Sequence, residues 1–174
     1  MEHKIRIYTD GSCKGNPGPG GWAYLLSYKQ HHSLGYGTEA HTTNNRMEMR
    51  AVVEALRRVK QPIPVALHVD SEYIFHAFTK KWLKRWAANH FVRSGGQAVK
   101  NTDLWRQLLM LTENLHITWH KVPAHKDNMY NNFVDQLAQF SAAGKHNKLQ
   151  TLCLSNGFTP AGPNIWTKTE AAGG

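Results

Sequence analysis

The chain predicts an α/β fold built on a mixed sheet, and three observations carry that expectation. Residues 4–38 read as three strands joined by short turns, an antiparallel meander. A helical stretch, Asn45 to Val59, then leads into a second apolar strand, Val65 to Val69, which makes a strand–helix–strand crossover. Near the end, Phe133, Val134, Leu137, Ala138 and Phe140 form the apolar stripe of a late helix. At 174 residues the chain is long enough for one domain with a buried core and too short for two.

Each element has its own signal. Ile5-Arg6-Ile7-Tyr8-Thr9 opens a strand over residues 4–12, with Asp10-Gly11 as a turn dipeptide. Gly15-Asn16-Pro17-Gly18-Pro19-Gly20-Gly21 is not expected to continue a ladder, because two prolines remove donors and the glycines favour tight turns. Trp22–Tyr28 and Ser33–Thr38 are the next strands. From Asn45, the residues Met47, Ala51, Val52, Ala55, Leu56 and Val59 recur at helical spacing until Gln61-Pro62-Ile63-Pro64 stops the helix.

Ser71 is a candidate N-cap for a helix reaching about Phe78. Lys80–Ala88 predicts a basic helix, residues 89–101 a loop, and Thr102 or Asp103 the cap of a helix ending at Leu111. His116–Val122 alternates as a strand, and Asp127 or Asn128 starts the last helix. Beyond about Gly144, Leu149–Leu154 predicts one short element, while Pro160–Pro163 and Ala171–Gly174 read as loose.

Composition narrows the function. A formal charge of +9 suits a polyanionic partner, nucleic acid above all. No apolar run approaches the roughly 20 residues of a membrane span, and Met1-Glu2-His3-Lys4 leads straight into a strand pattern. The expectation is a cytoplasmic, unprocessed monomer without membrane contact. Cys13 and Cys153 are expected as free thiols, lacking the spacing of a zinc motif.

Within this basic chain, four of the twelve acidic residues hold distinctive places. Asp10 and Asp70 each close a strand in the same sense, so a parallel pairing would set them side by side. Ligands gather at that edge of an open α/β sheet. Glu48 lies early in the first helix and Asp135 on the last, both flanking the sheet. Taken singly, each has a bland reading as a turn, cap or solvated helix residue. Together they would repel unless cations lay between them, and an oxygen-only set favours magnesium or manganese. Two such ions about 3.5–4 Å apart activate water and stabilise a leaving oxygen at phosphorus. His125, ten residues before Asp135, is a candidate proton shuttle by its ordinary pKa.

Thr9-Asp10-Gly11-Ser12, Asn16-Pro17-Gly18-Pro19-Gly20-Gly21, Thr42-Thr43-Asn44-Asn45-Arg46-Met47-Glu48, Asp70-Ser71 and His125 with Asp135 resemble bacterial ribonuclease HI in order and spacing. The resemblance covers residues 4–143, and the Thr-Asn-Asn-Arg-Met-Glu run is its most specific part. It implies a five-stranded mixed sheet flanked by helices, with residues 1–143 as the ribonuclease H domain and 144–174 as an extension without an assigned role. It implies hydrolysis of the RNA strand of RNA–DNA hybrids, leaving 5′-phosphate and 3′-hydroxyl ends. Asp10, Glu48, Asp70 and Asp135 would hold two magnesium ions, with manganese as a substitute, and His125 would assist turnover.

The same resemblance assigns substrate contacts. Cys13, Asn16, Asn44 and Asn45 match positions at the hybrid backbone or minor groove, and Thr43 matches a contact to a DNA-strand phosphate. Lys80, Lys81, Lys84 and Arg85, interleaved with Trp82 and Trp86, resemble a basic protrusion that binds the DNA strand. The alternative for the tryptophans is core packing. Glu72 replaces a usual glutamine, Val122-Pro123-Ala124-His125 replaces a lysine-glycine-histidine run, and Asn132 stands where glutamate is familiar. The competing functions are a resolvase- or transposase-like nuclease and a hybrid- or duplex-RNA-binding module without catalysis. Nothing in the motifs favours either.

Overall fold

A computed structural model describes residues 3–123 and 128–171. The elements in chain order are β1 (Ile5–Cys13), β2 (Gly18–Tyr28), β3 (His31–Thr42), α1 (Asn44–Leu56), β4 (Val65–Val69), α2 (Glu72–Thr79), α3 (Trp82–Ala88), α4 (Thr102–Thr112), β5 (Ile117–Lys121), α5 (Met129–Ala142), α6 (His146–Ser155), β6 (Thr159–Gly162) and β7 (Ile165–Thr169). One sheet runs in the order β5-β4-β1-β2-β3-β7-β6. β1 and β4 are parallel neighbours, with Tyr8 opposite His68, so the crossover expected from the sequence is present.

The sheet has seven strands rather than the five expected. The C-terminal β6–β7 hairpin adds to the free edge of β3, with five register pairs from His31↔Thr169 to Gly35↔Ile165. Pro160–Gly162, read as loose, lies in the outermost strand. Proline is admissible on such an edge because no neighbour requires its missing N–H.

Other boundaries also move. β1 passes through Asp10 and Gly11 without a turn and ends at Cys13, because Asp10 to Cys13 pair with Ala23 to Gly20. β2 begins at Gly18 inside the stretch expected to break the ladder. The register shifts between Gly18 and Gly20, so Pro19 sits at an irregularity, and its carbonyl accepts from Lys14 N at 2.7 Å. The basic helix starts only at Trp82, since Lys81 takes a left-handed backbone and splits it from α2. α4 is preceded by left-handed Asn101 without a side-chain cap, so neither Thr102 nor Asp103 caps it.

Caps at Ser71 and Asn128 stand as expected, accepting from Ile74 N and Asn131 N; Asp127 lies outside the described residues. Two cores result. One joins the sheet to α1, α2 and α4, with Ile7, Met49, Val52, Leu67, Ile74 and Trp105 buried. The other lies on the opposite face, where Tyr8, Leu34, Val134 and Leu137 meet Leu149, Cys153, Phe158 and Trp166 of the extension. Both cysteines are free, and burial pushes the Cys153 thiol up to about 12.

Candidate active site

The site starts at Gly11. A Cβ there would collide with the backbone of Met47 and Glu48, so glycine is what lets the first turn of α1 settle on β1. Thr43 starts that turn, its Oγ1 accepting from Arg46 N at 3.3 Å. The close approach delivers Glu48 to Asp10, and their carboxyls hydrogen-bond. Asp10 is only 5% exposed. Glu48 is half-buried as a residue, yet its Oε2 is fully buried and has no hydrogen-bond partner.

Asp70 follows β4 and has a half-exposed side chain, 3.8 Å from Lys121 Nζ. Its charge acts on Glu48. Asp135 comes from α5, where Gln139 Nε2 donates to its Oδ2 at 3.0 Å, and it also hydrogen-bonds Asp10. α5 passes close over the sheet because Gly21 leaves room for the Ala138 carbonyl and the Ala142 nitrogen. The four carboxylates therefore share one edge, with the Asp10–Glu48 pair between Asp135 and Asp70.

Such crowding of acids has an electrostatic consequence. Burial, reinforced by Asp135, pushes Asp10 up to about 7, against a partial opposing effect of the Glu48 hydrogen bond. Burial and the Asp10 charge hold Glu48 well above the usual carboxylate range. As they stand, no three acidic, histidine or cysteine groups among the described residues enclose an ion. The donor set still fits a hard divalent cation: all oxygens, a buried unpartnered Glu48 Oε2, and mutual repulsion that a cation would relieve. Asp10, Glu48, Asp70 and Asp135 are the residues that could hold it. His125 lies outside the described residues.

Beside this edge, Asn16 precedes a cis Pro17 and its Oδ1 accepts from Asn44 N at 2.9 Å, which ties the turn before β2 to the start of α1. Cys13 Sγ donates toward the carbonyls of Gly18 and Thr42. Asn44 and Asn45 are exposed. Cys13, Asn16, Thr43, Asn44 and Asn45 thus form one continuous rim.

Lys80, Lys81, Lys84 and Arg85 project from the α2–α3 corner as exposed cations. Trp82 and Trp86 are half-buried and pack against the core, with Trp86 5.4 Å from Trp105 and Lys80 over the Trp82 ring. The core-packing reading of the tryptophans therefore holds in part. They also wall a recess of about 460 Å³ that opens toward Asn45 and is completed by Tyr73, Arg93, Lys100 and Asn101. Sequence reasoning missed Arg93, Lys100 and Asn101 because loop residues carry no periodicity, and Tyr73 because it sits in the first turn of α2 without a charge or motif to mark it. It also missed Lys121, which the β4–β5 register sets opposite Val69, next to Asp70.

The ribonuclease H family profile matches residues 2–143. The ribonuclease H of Chlorobium luteolum is 50% identical over 139 residues, covering 80% of this chain and 95% of its own. That of Thermoanaerobacter sp. strain X514 is 48% identical over 134 residues, covering 77% and 86%. Among solved structures, LC9-RNase H1, a type 1 RNase H with the type 2 active-site motif, aligns with a TM-score of 0.72 and 29% identity over 83% of this chain and 74% of that one. A foamy viral protease-reverse transcriptase in complex with an RNA/DNA hybrid shares the fold at a TM-score of 0.62 and 21% identity, over 80% of this chain and 20% of its own.

Proposed function

The chain belongs to the ribonuclease H family, and on that premise we propose that it cuts the RNA strand of RNA–DNA hybrids, leaving 5′-phosphate and 3′-hydroxyl ends. The observation that carries the reading is the buried Asp10–Glu48 pair with its unpartnered oxygen, flanked by Asp70 and Asp135. Two magnesium ions, replaceable by manganese, would be held by these four residues; when bound they supply an activated water and stabilise the leaving oxygen. The protein works as a cytoplasmic monomer in which residues 1–143 form the ribonuclease H domain and 144–174 an extension.

The chain's own groups define the rest. Asp10 and Glu48 are fixed by the α1–β1 contact and act as rigid ligands, whereas Asp70 faces solvent and has room to meet substrate. Lys121 sits where it balances Asp70 before the cations arrive. His125 carries a proton at the leaving side or helps product depart. The rim from Cys13 to Asn45 faces the minor groove and sugar hydroxyls, the features that separate a hybrid from duplex DNA. The cations at Lys80, Lys81, Lys84 and Arg85, with the Trp82–Trp86 recess, take the DNA strand by its phosphates. Exposed Glu72, at the start of α2, makes that approach more acidic.

A labelled hybrid incubated with and without magnesium tests the proposal. Cleavage of the RNA strand is expected only with the metal, with single-stranded RNA and duplex DNA left intact. Asp10→Asn or Asp70→Asn should lower the rate by at least about a thousandfold, the scale of losing a group that acts in the transition state. Intact activity in either variant at physiological magnesium would sink the site assignment.

A further inference from the structure

The family match stops at residue 143, yet the chain continues through α6 and the β6–β7 hairpin, which add to the same sheet and share a core with α5. We propose that this extension sets the position of Asp135, with Phe158 and Trp166 as positioning residues that act through α5. The inference rests on the reading of Asp135 as a metal ligand given above.

Helix geometry supplies the first support. At 3.6 residues per turn, Phe133 and Phe140 project from the side of α5 away from Asp135. Both pack on the second core, and the Phe158 ring stacks on Phe133 at 5.8 Å with 17° between planes. α5 is therefore held from two sides. The sheet presses near Asp135, where Gly21 admits Ala138 and Ala142, and the extension closes over the opposite flank.

The second support is the stiffness of the connection. α5 ends in a Schellman turn: Gly144 has φ +67°, its N–H donates to Ser141 O at 3.1 Å, and Lys145 N donates to Phe140 O at 2.9 Å. α6 begins at the next residue, His146. α6 ends in the same motif, with Phe158 N donating to Cys153 O and Gly157 N to Leu154 O. No free linker separates α5 from the hairpin, so a shift of one displaces the other.

The hairpin in turn is fastened to the sheet. β7 pairs with β3 over five positions, Trp166 Nε1 donates to Tyr36 Oη at 3.1 Å in the buried interior, and His32 Nε2 lies 3.3 Å from Glu170 Oε1.

The test uses the full-length protein. Phe158→Ala and Trp166→Ala are expected to weaken manganese binding, measured by calorimetry without substrate, by at least about fivefold. They should lower kcat on the hybrid while leaving its KM within about twofold. Trp166→Phe keeps an aromatic ring in the core while losing the N–H donor and part of the indole volume, so it should bring manganese affinity back to within about twofold of wild type. Phe158→Leu removes the ring stack with little change of volume and covers the case in which the alanine variants do not fold; about a twofold weakening is expected. Unchanged manganese affinity in the folded variants, with only the melting temperature lowered, would reduce the extension to a stabilising role and overturn the inference. Failure of the wild-type protein to bind manganese or cut the hybrid would instead strike the functional reading beneath it.

Discussion

The carboxylate edge and the aromatic core beneath the C-terminal hairpin are both densely buried, but they treat their polar atoms in opposite ways. At the hairpin, Trp166 finds the Tyr36 hydroxyl, and the aromatic and aliphatic groups around it carry no charge. At the edge, Asp10 and Glu48 are buried among other acids and Glu48 Oε2 has no partner. In the first region the central donor and acceptor, Trp166 and Tyr36, answer each other within the chain. The second is destabilising until something positive arrives, as expected of a site kept for function rather than for stability.

Opposite responses to truncation follow. Leu34, fully buried against the hairpin side, should cost about 2–5 kcal/mol when replaced by alanine. That corresponds to a melting temperature lower by roughly 5–15 °C for a chain of this size. Thermal melts followed by circular dichroism read the effect, and a loss below about 2 °C would show that the region is less tightly packed than described.

At the edge the sign reverses. Asp10 holds its proton to about 7 when folded and only to about 4 when unfolded. Below about pH 4 both states are protonated and its contribution to stability is fully present. Between about 4 and 7 the unfolded chain releases its proton first, so the contribution declines as pH rises and is lost above 7. Asp10→Asn, although inactive, should therefore melt roughly 5 °C above the wild type at pH 8 without divalent metal. The gap should shrink toward pH 4 and on adding magnesium to the wild type. A variant no more stable than wild type at pH 8 would break the contrast between the two regions.

The smallest effect belongs to the exposed cations, which are part of neither buried region. Arg85→Ala should leave the melting temperature within about 1 °C, raise KM for the hybrid a few-fold, and lower the slope of log affinity against log salt by about 1. An unchanged salt slope would remove Arg85 from the phosphate-binding surface.

Much of the edge was legible in the chain because its signals are local. Asp70 closes an apolar run, and the Thr-Asn-Asn-Arg-Met-Glu motif places Glu48 one turn into a capped helix. The run Ile5–Thr9 marks Asp10 as a strand end, whereas the strand continues past it. The antiparallel partner β2 carries the ladder through Asp10 and Gly11 to Cys13, and no local propensity announces that. The hairpin was missed for the same reason. Pro160 and Gly162 read as breakers, and only pairing with β7 makes them a strand. Ile165-Trp166-Thr167-Lys168-Thr169, rich in β-branched and aromatic residues, was the available signal.

By itself, then, the sequence determined the order of strands and helices as far as α6, the parallel crossover, the placing of four acids toward one edge and the basic surround. These follow from periodicity, capping and charge, all short-range properties of the chain. Only the tertiary structure decided that Gly11 lets α1 reach Asp10, that the Glu48 oxygen is left without a partner, and that α6 and the β6–β7 hairpin share a core with α5. Those features depend on which distant surfaces meet at van der Waals distance, and burial and pairing across the sheet exist only once the chain has closed on itself.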